Sequence, residues 1–230
     1  MEFGTPQFWV AALEIVIINI LLSGDNAVVI ALACRNLPDR QRRWGIIWGC
    51  AGAIILRIIL TFFAITLLQL PYLKIVGAIA LLWIGVKLIA DEEGGEHEIQ
   101  ASDRLMSAVR TIIVADLVMS IDNVLGVAGA AKGSVLLLVF GLIVSIPLVI
   151  AGSQLIMKLI ERFPSLILAG GGLLGYVAGE MFVTDVAIEP WINANIHWMH
   201  WAVPVLGILF VVGVAKSLQR RPVQASEQDG

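Results

Sequence analysis

The sequence predicts an all-α polytopic membrane protein with seven transmembrane helices, built as two inverted three-helix repeats plus a seventh helix. Three observations carry that prediction. Of 230 residues, 59% are hydrophobic and only 14% charged, with a mean hydropathy of +0.91. That excludes a soluble domain, and apolar runs long enough to span a bilayer recur along the whole chain. Second, one motif occurs twice: SGDNAVVIALA from Ser23 to Ala33, and SIDNVLGVAGA from Ser120 to Ala130. Third, the basic residues are distributed very unevenly between the connecting loops.

Spanning helices are expected near 8–34, 44–70, 72–90, 105–131, 134–160, 165–183 and 200–218. In lipid the backbone must satisfy its own hydrogen bonds, and runs of this length do so only as α-helix. The first residues, MEFGTPQFWVAALE, lack the basic region and small-residue cleavage site of a signal peptide, so the first apolar segment is expected to stay as a spanning helix. Pro71 and Pro164 stand where the third and sixth helices begin, and a missing N–H is harmless there. Pro147 and Pro204 fall inside the fifth and seventh.

Orientation follows from Lys and Arg. Twelve of the fifteen fall in or beside the loops after helices one, three, five and seven, against Lys74 and Lys132 on the other side and Arg57 in mid-membrane. Positive-inside then places the N-terminus outside and the C-terminus in the cytoplasm. The halves read as 1–90 and 104–183, joined by an acidic cytoplasmic linker over 91–103. An external loop over 184–199, the seventh helix over 200–218 and a cytoplasmic tail over 219–230 complete the chain. In the outer loop Trp191, Trp198 and Trp201 read as interfacial anchors, and His197 and His200 stand three apart. Cys34 and Cys50 read as reduced thiols in a bundle.

The repeat extends past the motif. Pairing Pro71 with Pro164 also pairs Gly77 with Gly170 and Trp83 with Tyr176. Three spans is an odd number, so the second copy enters from the opposite side, as in many secondary transporters.

The motifs themselves carry acids. Asn19, Ser23 and Asn26 form one stripe of the first helix, and Asp116, Ser120 and Asn123 form the matching stripe of the fourth. Asp25 and Asp122 sit beside Asn26 and Asn123 and widen each stripe into a polar face. A carboxylate at the bilayer centre costs at least about 2.5–3.5 kcal/mol, so each such acid is read as functional. Facing one another, Asp25, Asp116 and Asp122 with Asn19, Asn26 and Asn123 give an all-oxygen set suited to a hard divalent cation such as Mn²⁺, Mg²⁺ or Ca²⁺. Glu14, about 16 Å further out at 1.5 Å per residue, reads as a mouth or proton-relay residue. Ser23 and Ser120 read as path-lining or packing positions, Glu180 either lines the exit path or reaches interfacial water, and Arg57 either pairs with a central Asp or snorkels to an interface. The glycines at 170–172 and Gly179 read as helix-packing positions, since no phosphate-loop pattern follows them.

SGDNAVVIAL and DLVMSIDNVLGVAG resemble the paired motifs of the TerC family of integral membrane proteins, in its shorter YjbE-type branch. The resemblance implies a LysE-superfamily fold of two inverted three-helix repeats, Mn²⁺ export from the bacterial cytoplasm, and motif acids at Asp25, Asp116 and Asp122. One departure is Asn19, where family members often carry an acid six residues before the first motif Asp. The expected function is a secondary exporter of divalent cations, most readily Mn²⁺, working by proton antiport. The expected partners are that ion, protons and the lipid bilayer, with no nucleic acid and no prosthetic cofactor. An amino-acid exporter and a membrane scaffold are the alternatives. No enzyme is expected, because the chain holds no nucleophile–base pair or metalloprotease motif.

Overall fold

The computed structural model describes residues 5–22, 24–90, 101–131 and 135–219. These form the helices α1 (Pro6–Leu22), α2 (Gly24–Cys34), α3 (Asp39–Leu68), α4 (Leu73–Ala90), α5 (Ala101–Ala131), α6 (Val135–Arg162), α7 (Ser165–Val183), α8 (Glu189–Asn195) and α9 (Met199–Gln219). There is no strand among them. The run expected as one first span comprises α1 and α2, on either side of Ser23. The expected external loop contains the short helix α8, which buries Ile192 and exposes Trp191. Pro147 and Pro204 lie inside α6 and α9. The linker residues 91–100, Ser23, Lys132 and the tail from 220 lie outside the described residues.

Among the described residues, α3, α4, α6, α7 and α9 each contain a stretch long and apolar enough to cross a membrane. Their outer faces are strongly apolar, with Phe62, Phe63, Trp83, Leu209 and Phe210 all exposed. In water such a surface would drive aggregation, whereas in lipid it is simply the solvent-facing side.

The helices pair across the two halves of the chain. α3 lies on α5, α6 lies on α1 and α2, and α4 meets α7. The order of contacts gives direction. Along α3, Gly45 meets Leu105, Gly49 meets Ile112 and Gly52 meets Ile113, so α3 and α5 run parallel. Along α6, Phe140 meets Phe8, Gly141 meets Ile15 and Gly152 approaches Ala27, so α6 runs parallel to α1 and α2. In α4, Gly77 meets Met181 while Gly85 meets Leu174, so α4 and α7 run antiparallel.

Two of these contacts are of the same kind. A Cβ on Gly49 would stand 2.7 Å from Ile112, and one on Gly141 would stand 2.5 Å from Ile15. The interval between the two isoleucines equals that from Asn26 to Asn123. α7 is the most enclosed of the five long apolar helices, and its glycines are the reason. Gly170 seats Val28 and Leu32 of α2, Gly171 seats Ile89 of α4, and Gly175 and Gly179 lie against the α9 backbone at Gly207 and Pro204. Without a hydrophobic drive between helices in lipid, such close approach is what holds them together.

Both ends of α4 are tied to distant segments. At its start, the buried carboxylate of Asp185 accepts from the N–H groups of Tyr72 (2.9 Å), Lys74 (3.0 Å) and Ile75 (3.4 Å), and from Ala187 in its own turn (2.9 Å). An acid there satisfies orphan donors and complements the helix dipole. Tyr72, with φ of 67°, sits in the left-handed region that bulky residues avoid. Its N–H bond to Asp185 holds it there. At the C-terminal end, Arg35 donates to the Leu88 carbonyl (2.6 Å) and Gln219 to the Ile89 carbonyl (3.1 Å).

Burial alone would push the Asp185 carboxyl up, but the four N–H groups outweigh it and hold the acid below its ordinary value. A depressed acid contributes stability that is complete above its unfolded value of about 3.9 and fades as pH falls through the folded one. Asp185→Ala is therefore expected to destabilise the detergent-solubilised protein by about 1–2 kcal/mol at neutral pH. In thermal melts that gap should narrow only below about pH 4. A gap that instead narrows between pH 6 and 8 would contradict this role.

Candidate functional site

Where α2, α3, α5 and α6 meet, polar side chains are gathered inside apolar walls. Asp116 is a buried acid of α5, and its Oδ1 accepts two hydrogen bonds. One comes from Nη2 of Arg57 on α3 at 2.5 Å, the other from Nδ2 of Asn26 on α2 at 2.9 Å. Arg57 Nε also donates to the Ser120 hydroxyl at 3.1 Å, and Ser120 in turn donates to Asp116 Oδ2 at 3.2 Å. Asp116 and Ser120 stand four apart and so share one stripe of α5. Arg57 and Asp116 are each about 95% removed from solvent. The guanidinium does not snorkel; it is the partner of a central carboxylate.

Asn26 is also buried, and it must turn its amide nitrogen toward Asp116, because a carboxylate accepts and does not donate. Among the described residues its Oδ1 is thereby left with no hydrogen-bond partner. A buried acceptor in that condition costs about 1–3 kcal/mol. Asn26, Arg57 and Asp116 border a cavity of about 30 Å³, walled by Ile112 and Leu142, with Ser145 of α6 on its rim. One water centre needs about 10–15 Å³, so the space admits a water or two or a single cation.

The expected site residues divide as follows. Asn26, Asp116, Ser120 and Arg57 come together. Asp25 lies in the first turn of α2, half-buried, where its Oδ1 accepts the Asn26 N–H at 2.8 Å. It is close enough to feel the charges of both Arg57 and Asp116. Asp122 and Asn123 belong to α5 and Asn19 to α1, but their side chains, like all of Ser23, lie outside the described residues. Glu14 and Glu180 are exposed on α1 and α7. Among the described residues no three His, Cys, Asp or Glu side chains stand close enough together to hold a metal ion.

Sequence reasoning missed Ser145, which is fully enclosed and donates to the Gly141 carbonyl at 2.6 Å. Its signal was a lone hydroxyl in the apolar run of α6. Cys50, expected as a reduced thiol in the bundle, is a free buried thiol and also lines this cavity. In the outer segment, His200 bonds Asn193 Oδ1 at 2.7 Å and lies 5.4 Å from the His197 ring.

A buried ion pair punishes the loss of one partner more than the loss of both. Asp116→Ala is expected to destabilise by about 3–5 kcal/mol, since it takes the carboxylate away from the buried Arg57 guanidinium. Arg57→Met with Asp116→Leu should cost much less in the same thermal melts. Additive losses would show that the two charges are not coupled.

Comparison with known proteins agrees with this membrane architecture. Residues 4–223 match the family model described as "Integral membrane protein TerC family". The chain is 45% identical over 206 residues to the "Uncharacterized membrane protein YjbE" of Bacillus subtilis, covering 90% of this chain and 94% of that one. It is 27% identical to Bacillus subtilis YceF, over 76% of this chain and 72% of that one. It is 23% identical to the "UPF0053 inner membrane protein YgdQ" of Escherichia coli K12, over 80% of this chain and 92% of that one. No solved structure matches the chain. With nearly its whole length matched and its apolar helices in place, the chain belongs to the TerC family of integral membrane proteins.

Proposed function

We propose that the protein exports divalent cations, Mn²⁺ foremost, from the cytoplasm through the site between α2 and α5. The observation that carries this reading is the Oδ1 of buried Asn26, unpartnered among the described residues, beside the carboxylate of Asp116 on a cavity of about 30 Å³. A hard cation wants neutral and anionic oxygen together, and Ser145 offers a third oxygen at the rim. Asp25 and, by the repeat, Asp122 supply the remaining charge.

The same space speaks against amino-acid export. An amino acid would need a free cation for its carboxylate, and the Arg57 guanidinium is held by Asp116 and Ser120.

Alternating access fits the helix directions. α3 and α5 run parallel and α4 opposes α7, the relations expected when the second three-helix unit is inverted relative to the first. The matched Gly49–Ile112 and Gly141–Ile15 contacts support the same symmetry. In this reading α1 with α2 forms one crossing and α5 another, giving seven crossings with the C-terminus in the cytoplasm. Protons on Asp25 and Asp122 balance the charge when the metal leaves, so an outside-acid gradient drives Mn²⁺ outward.

The test is flux of a panel of divalent ions in proteoliposomes. Saturable Mn²⁺ flux is expected, lowered by at least about tenfold in Asp25→Asn, Asp116→Asn and Asp122→Asn and less in Glu14→Gln. Absence of flux for every ion, or full flux in all three Asp variants, would overturn the proposal. Flux indifferent to the pH gradient would remove the proton exchange.

A further inference from the structure

The buried pair raises a question that metal binding alone does not answer: why place a fixed cation on the very oxygen that a substrate cation would use? Arg57 stands in the first half, on α3, yet it neutralises an acid of the second half, Asp116 on α5. Neither feature has a copy in the repeat. The position equivalent to Asp116 is Asn19, and the stretch of α6 equivalent to the surroundings of Arg57 is the apolar Leu148–Ile150. An acid and a base that are absent together where α6 meets α1, and present together where α3 meets α5, act as a unit.

We propose that Arg57 is a tethered counter-cation, which occupies Asp116 when the site is empty and yields it to the transported ion. This deepens the export reading above and rests on it. With no metal present, the guanidinium keeps Asp116 from standing as a bare charge in the low-dielectric interior, so the unloaded protein can change its facing. An arriving divalent cation takes Asp116 Oδ1 and the waiting Oδ1 of Asn26, and its charge repels the guanidinium. Ser120, bonded to both Arg57 Nε and Asp116 Oδ2, lies between the two partners and can keep either one satisfied as they separate. Arg57 thus competes with the substrate for one oxygen. It weakens metal binding and makes the return step possible.

The two effects separate in transport assays. Exchange of external for internal Mn²⁺ needs only the loaded protein to reorient, whereas net export needs the empty protein to return. In Arg57→Gln, Mn²⁺ binding should tighten about tenfold, because the internal competitor is gone. Radiolabelled Mn²⁺/Mn²⁺ exchange should persist, while net flux falls about a hundredfold, as expected for carrying an uncompensated carboxylate through the interior. Arg57→Lys keeps the charge and should keep both modes. Equal loss of exchange and net flux in a folded Arg57→Gln, or full net flux in it, overturns the counter-cation role while leaving Mn²⁺ export standing. Should Arg57→Gln fail to insert, Arg57→Lys decides the matter, since loss of its net flux with exchange intact also overturns the role. Absence of Mn²⁺ flux in the wild-type protein, by either mode, overturns the export reading and this inference with it.

Discussion

A guanidinium and a carboxylate buried side by side between α3 and α5 set the terms for the surrounding structure. Neither charge is tolerable alone at that depth, so the register of the two helices has to bring them level. Glycine makes that register possible. Gly49 and Gly52 seat Ile112 and Ile113, and two turns further along α3 Arg57 comes abreast of Asp116 and Ser120. The hydrogen bond from Asn26 draws α2 into the same arrangement, which leaves its amide oxygen facing the cavity. One electrostatic requirement thereby fixes three helices and creates an unsatisfied acceptor at their junction.

The periphery is built to hold α4 and α7, which carry no part of the cluster. α7 packs by close backbone approach, and α4 is held at its ends by an acid on the positive pole and an arginine on the negative pole of its dipole. Such fixed points stand at the helix ends, where backbone donors and acceptors lack partners within the helix. In the centre, a few polar side chains enclosed by apolar walls act at low dielectric, and each contact there weighs more.

Much of this was legible in the sequence, for identifiable reasons. Apolar run length located the long helices, because lipid allows no other spanning form for them. Residue spacing placed Asp116 and Ser120 on one stripe, and the rarity of a mid-membrane cation singled out Arg57. Spacing says nothing about which acid an arginine on another helix will reach, because that depends on the packing of α3 against α5. For the same reason Asn26, rather than its neighbour Asp25, turned out to touch Asp116: the two differ by 100° around α2, and the interhelical geometry chooses between them. Asp185 was passed over because its partners lie more than a hundred residues away, at the start of α4.

The central claim is that Asp116 Oδ1 is held by Arg57 when the site is empty and by the transported ion when it is filled. The most direct measurement is a structure of the Mn²⁺-loaded protein with the metal located by its anomalous scattering. The expected result is a single peak within coordination distance of Asp116 Oδ1 and Asn26 Oδ1, with the Arg57 guanidinium withdrawn from the carboxylate. A peak remote from both oxygens, or a bound ion with the Arg57–Asp116 pair unbroken, would contradict it.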